Sequence, residues 1–295
     1  MVTAALDHPG LRLSAQDLLA LRDTPHPPPG HRPATRRPGV VPARLPGSGM
    51  DLREIRAYSD GDDTRRLDPA ATARTGTPHV RSFHEDRDDT VLLVADFRPA
   101  MLWGTGMSLR SVRAARLLAR HGWVAVARGA SVAALAITSS GVAALPARTG
   151  VRQLGAIAQM LAHEHDKALQ LAADGPLPSP SPPSSSATPL PVSLSLALTR
   201  AVRLAPSGAR VWLATEPEGI AREDEAPLRR LARRRQVGVL CPLDPAEVSP
   251  PQRALPLSFG LARRFARLRA FDPAQLTARM RALGVTVELV ADDTI

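Results

Sequence analysis

Between residues 47 and 88 the sequence sets carboxylates among guanidinium groups: Asp62, Asp63, Asp68 and Glu85 alternate with Arg56, Arg65, Arg66 and Arg74. A planar guanidinium meets a carboxylate through two parallel N–H···O bonds, so such a run can close into bidentate pairs. Asp68, flanked by Leu67 and Pro69, is the carboxylate expected to be buried, with Arg56 or Arg74 as its partner. On this reading the charge lattice holds the segment against the rest of the chain, and Asp68→Ala is the damaging substitution. A second carboxylate, Asp96, closes the apolar run 91–95. That is where a parallel strand delivers a ligand group.

Other groupings offer no chemistry. Gly104-Thr105-Gly106 lacks the third glycine and the Gly-Lys-Ser/Thr of a phosphate loop and reads as a turn. His163, Glu164, His165 and Asp166 resemble a metal cluster only on paper. Residues two apart on a helix point to different sides, so this run reads as a solvated helix end. Cys241, between Leu240 and Pro242, reads as a core residue. No Ser–His–Asp or Cys–His grouping can be assembled, and no enzyme activity is expected.

The elements that must position these groups follow from pattern. The chain has 295 residues, 44% hydrophobic and 22% charged, enough for a substantial core. Aromatics make up only 3%, so that core must be built from Leu, Val and Ala. A single cysteine excludes an internal disulfide framework and a cysteine-ligated zinc site. The absence of a long apolar run points to a soluble, cytoplasmic protein without a membrane span. Residues 1–45 read as a tail with one short helix capped by Ser14. Residues 46–88 form the charged segment, with no helical or strand period. Residues 89–295 alternate strand and helix, with a hairpin around Ser139-Ser140-Gly141, a Pro/Ser-rich insertion at 175–191, and a basic helical region at 261–270. The expected class is α/β: a doubly wound, mostly parallel sheet with one hairpin edge, preceded by an irregular charged segment.

The stretch from Gly47 to Asp96 resembles the domain-of-unknown-function 58 family, whose members carry a von Willebrand factor A-like domain. The resemblance rests on Gly47-Ser48-Gly49, then Arg56, Tyr58, Gly61, Asp62, Asp63, Arg65 and Asp68, then Ala73-Arg74 and Glu85. Pro69 stands where the family has tryptophan. These motif residues are expected to act as scaffold or as a partner contact. The resemblance also implies a Mg²⁺ site, at which the first strand ends in Asp-x-Ser-x-Ser because a hard cation takes carboxylate and hydroxyl oxygens. Here the sequence is Asp96-Phe97-Arg98-Pro99-Ala100, with both hydroxyls gone and a fixed positive charge, Arg98, where one of them would stand. The further ligand positions fall near Thr215-Glu216 and Val192-Ser193. A degenerate site is expected at Asp96, Arg98, Ala100 and Glu216, binding Mg²⁺ weakly at most, with no other cofactor. Arg98 is expected to stand in for the cation by pairing Asp96 or Glu216, and Asp96→Ala to be mild.

Family members are encoded beside MoxR-type AAA+ ATPases, so the resemblance implies a non-enzymatic adaptor acting with such a partner. The alternative is nucleic-acid binding through Arg229, Arg230, Arg233 and Arg234, one face of a helix, echoed by Arg263, Arg264 and Arg267. Scarce aromatics count against single-strand stacking. The whole net charge of +10 lies beyond residue 100, where these arginines are.

Overall fold

The computed structural model describes residues 8–23, 38–87, 89–174, 193–259 and 262–291. The expected Pro/Ser-rich insertion, 175–191, lies outside the described residues. The elements run α1 (Ala15–Ala20), β1 (Pro38–Ala57), α2 (Pro69–Thr75), β2 (His79–Arg87), β3 (Thr90–Asp96), α3 (Arg110–Ala127), β4 (Ser131–Thr138), β5 (Gly141–Arg148) and α4 (Val151–Asp174). Then come α5 (Leu194–Leu204), β6 (Arg210–Ala214), α6 (Glu225–Ala232), β7 (Gln236–Pro242), α7 (Pro245–Val248), β8 (Leu255–Phe259), β9 (Ala262–Ala266), α8 (Pro273–Ala282) and β10 (Thr286–Val290).

A mixed α/β architecture results. Six strands form one sheet in the order β10-β7-β6-β3-β4-β5. Every neighbouring pair is parallel except the β4–β5 hairpin. Central strand β3 is buried along its whole length, and its alternate side chains feed two cores. Leu93 and Ala95 pack with α3 and α4, whereas Leu92 and Val94 pack with α5, α6 and α8. With few aromatics available, small residues let the layers approach. A Cβ on Gly122 of α3 would stand 2.7 Å from the Leu154 side chain of α4. From β3 the chain moves outward to β4, while from β6 it moves outward to β7 on the other side. The carboxyl ends of β3 and β6 therefore flank a topological switch point, where such sheets bind ligands. No helix among the described residues is long and apolar enough to cross a membrane.

Three expectations need correction. The N-terminal helix is no free tail: Leu13 and Leu18 are buried in the α3–α4 core, and Trp123 donates its indole N–H to the Leu18 carbonyl (3.1 Å). Burying Leu18 on this six-residue helix, and Leu13 just before it, anchors a helix too short to be stable alone. The charged segment is not irregular either. It is a separate antiparallel ribbon, β1 against β2, with α2 between them, running in register from Ile55↔Arg81 to Ala57↔His79 and broken by shifts further along. Those shifts and its prolines and glycines hide the period of two that marks a strand. Arg263 and Arg264, expected on a helix, lie on β9, which pairs antiparallel with β8. The pairing partner is invisible to a helical count.

Candidate functional site

At the switch point, Asp96 ends β3 with only 1% of its side chain exposed. Its carboxylate accepts the Arg98 backbone N–H (3.0 Å) and the Arg98 side chain through Nε (2.9 Å) and Nη2 (2.7 Å). It also accepts the buried Thr215 hydroxyl at 2.7 Å, from the residue just past β6. Arg98 Nη2 reaches on to the Gly219 carbonyl (2.7 Å), tying the loop after β3 to the loop after β6. Burial lowers the Arg98 pKa, but the hydrogen bonds and charge of Asp96 outweigh it and hold the guanidinium above its ordinary value.

A second arginine stands beside this pair. Arg110, in the first turn of α3, is buried and bridges Glu216 (3.2 Å) and Glu247 (2.5 Å), with the Trp103 ring 4.7 Å from its guanidinium carbon. Burial pushes the Glu216 carboxyl above the usual range, against the pull of Arg110. Asp244, fully buried, accepts the Thr105 backbone N–H (2.7 Å) and the Thr105 hydroxyl, and caps α7. Arg113, one turn along α3, donates to the carbonyls of Leu243 (2.6 Å) and Val290 (2.9 Å). Asp224, also buried, takes the Ser195 hydroxyl at 2.6 Å. The carboxyl end of the sheet is thus sealed by hydrogen-bonded charges drawn from α3 and from the segments after β3, β6 and β7.

The donor set does not fit a Mg²⁺ ion. Asp96 is engaged by Arg98 and Thr215, Glu216 by Arg110, and Ala100 offers no side-chain oxygen. A cation at Asp96 would have to displace a guanidinium that already carries the charge and the geometry. Among the described residues no group of three or more His, Cys, Asp or Glu is arranged to hold a metal. Arg98 pairs Asp96, and Glu216 is taken by Arg110. Nothing in the sequence pattern singles out Arg110, Arg113 or Asp244. Their only sign is charge in otherwise apolar or turn sequence.

The motif residues lie apart from this site, on the ribbon. Arg56 forms a bidentate pair with Asp62 (2.6 and 2.8 Å), which also accepts the Ser59 N–H, and these bonds hold the Asp62 carboxyl below its usual range. Asp68 is buried, but its partner is Arg81 (2.8 Å), not Arg56 or Arg74. Leu67 bridges Val80 and the Asp68 N–H meets the His79 carbonyl, which brings the neighbouring β2 residue to the carboxylate. The other Asp68 oxygen caps α2 through Ala71 N–H. Asp63 caps the following turn at Arg65 N–H, Gly61 takes a left-handed φ of +98°, and the Tyr58 N–H meets the Pro78 carbonyl. Arg65 and Arg74 are exposed, and Glu85 lies on β2. The described pairs Arg56–Asp62 and Arg81–Asp68 therefore close the segment on itself, not onto the sheet where the expectation puts them. Leu52, Ile55 and Leu67 are left 51%, 42% and 38% exposed on this ribbon.

Two further positions differ from expectation. His165 is no solvated helix end: α4 continues past it, and its ring is fully buried, 2.8 Å from the Ser111 hydroxyl and edge-on to Phe97. Burial drops its pKa to about 4. Arg229 and Arg230 lie exposed on α6, but that helix ends at Ala232, so Arg233 and Arg234 turn toward the amino end of the sheet. Cys241 is buried in β7, and burial pushes its thiol up to about 12.

The sequence profile of the family described as "Protein of unknown function DUF58" matches residues 54–255. The chain is 36% identical over 106 residues to the uncharacterized protein Rv1480 of Mycobacterium tuberculosis and, equally, to the uncharacterized protein Mb1516 of Mycobacterium bovis. That match spans 36% of this chain and 33% of each relative. Among solved structures, the conserved hypothetical protein BatB from Bacteroides thetaiotaomicron aligns over 69% of this chain and 91% of its own, at 16% identity and a TM-score of 0.40. An aerotolerance-related membrane protein from Bacteroides fragilis aligns over 70% and 92%, at 14% identity and a TM-score of 0.41.

Proposed function

The chain belongs to the DUF58 family of proteins of unknown function, and we propose that it is a non-catalytic adaptor, built on a von Willebrand A-like sheet, that acts with a MoxR-type AAA+ ATPase. One observation carries the reading. The motif ribbon pairs Arg56 with Asp62 and Arg81 with Asp68 internally while leaving Leu52, Ile55 and Leu67 exposed. Internally paired charges hold a surface in one shape, and exposed aliphatic groups on it supply the contact area that association needs. The sheet's carboxyl end supports the same reading, because the position of a metal-dependent contact is filled by the Arg98 guanidinium and is degenerate as a Mg²⁺ site.

The test is co-purification of the full chain with a MoxR-type ATPase, with and without ATP. Capture by the wild type, lost in Leu52→Ser/Ile55→Ser at unchanged melting temperature, is the expected result. No capture, or capture indifferent to the ribbon, overturns the proposal. Calorimetry with Mg²⁺ is expected to show binding no tighter than about millimolar.

A further inference from the structure

Opposite the sealed site, the amino end of the sheet is open. A cleft of about 640 Å³ is lined by Ser207, Gly208, Arg233, Arg234, Arg235 and Gln236. A second, of about 420 Å³, shares Arg235 and Gln236 and adds Arg210, Trp212 and Thr286. Among the described residues, no acidic side chain lines either one. These arginines have like charges for neighbours. Burial, followed by the charge of Arg128, holds Arg210 below its ordinary range against the pull of Asp89, which pairs with Arg128 at 3.2 Å. Burial, followed by the charge of Arg234, lowers Arg235 in the same way, although Arg235 is fastened to the Ala205 (2.7 Å) and Val202 (2.9 Å) carbonyls. Rigid, crowded guanidinium groups around a concave surface raise the local potential and favour an anion.

The chemistry of that anion is narrowed by Trp212. Its ring lies against Gly238, where a Cβ would stand 2.3 Å from the nearest ring carbon, and stacks on His121 at 4.0 Å between centroids. Trp212, the aromatic residue among the described lining, is thus already stacked within the protein, whereas single-strand binding adds base stacking to charge. Carboxylates need only the guanidinium forks.

We propose that this arginine-lined cleft is a second docking surface, which takes an acidic segment of a partner protein, a run of Asp and Glu side chains. It is independent of the ribbon contact proposed above.

The experiment is fluorescence anisotropy of a labelled ten-residue Asp/Glu peptide on the full chain, with oligothymidylate of equal charge as comparison. The peptide is expected to bind in a salt-dependent manner and more tightly than the oligonucleotide. Arg233→Glu/Arg234→Glu, two exposed positions, is expected to weaken it by roughly tenfold or more. Arg148→Glu/Arg152→Glu, an equal charge change at exposed positions on β5 and α4, is expected to leave it within about twofold. Equal losses in both double variants would reduce the effect to net charge and overturn the site. Oligonucleotide binding as tight as the peptide's, lost with Arg233 and Arg234, would overturn the acidic partner in favour of nucleic acid. Unchanged peptide binding in the Arg233→Glu/Arg234→Glu variant, or none by the wild type, would also refute the proposal.

Discussion

Asp96→Ala tests the sealed switch point most directly. Asp96 is 1% exposed and Arg98 19%, and the carboxylate accepts from the Arg98 backbone, the Arg98 side chain and Thr215. Removing it strands a guanidinium and a buried hydroxyl together. Breaking one side of such a pair costs about 3–5 kcal/mol, and the two loops joined through Gly219 lose their tie as well. For a domain of this size that corresponds to a fall of roughly 10 °C in melting temperature. Urea denaturation of the full chain, for Asp96→Ala, Arg98→Met and the double variant, gives the coupling directly. The double variant should cost clearly less than the sum of the singles, because the uncompensated charge disappears with its partner. Single losses below about 1 kcal/mol, or strict additivity, would show a solvated pair and refute the reasoning. The sequence pattern had suggested the opposite ranking, with Asp96→Ala mild and Asp68→Ala severe. Since Arg81, the partner of Asp68, is 47% exposed and can be rehydrated, Asp68→Ala should be the smaller loss of the two.

Two further outcomes can be measured on the same protein. His165, held near pKa 4 by burial, is neutral when folded, whereas the unfolded chain takes up a proton near pH 6.5. Stability should therefore be flat in this group above pH 6.5 and fall by about 3 kcal/mol as the pH drops toward 4, a slope that His165→Leu removes. A wild-type-minus-variant stability difference independent of pH between 4 and 6.5 would mean that the ring is hydrated. Gly238→Ala sets a methyl group against the Trp212 ring, 2.3 Å from its nearest carbon, and should cost about 1–3 kcal/mol in thermal melts unless the ring can leave His121.

Much of this protein follows from residue order alone. A helix capped by Ser14, a buried run ending at Asp96, a hairpin turning at Gly141 and a helix capped by Asp272 ahead of Pro273 are local events, set by side-chain caps, backbone freedom and periodicity within a few residues. The alternation of strand and helix then carries the parallel sheet and its switch point with it. Pairing was beyond that reach. Arg81 reaches Asp68 only because β2 folds back beside it, and Arg110 joins Glu216 and Glu247 from loops more than a hundred residues away. The same holds for His165, whose polarity and spacing suggest solvent. Its burial depends on Ser111 and Phe97 arriving from other elements. A side chain's charge and propensity are its own, but its desolvation and its partner belong to the neighbours that tertiary packing supplies, and those decide which charges seal a site and which remain free to bind.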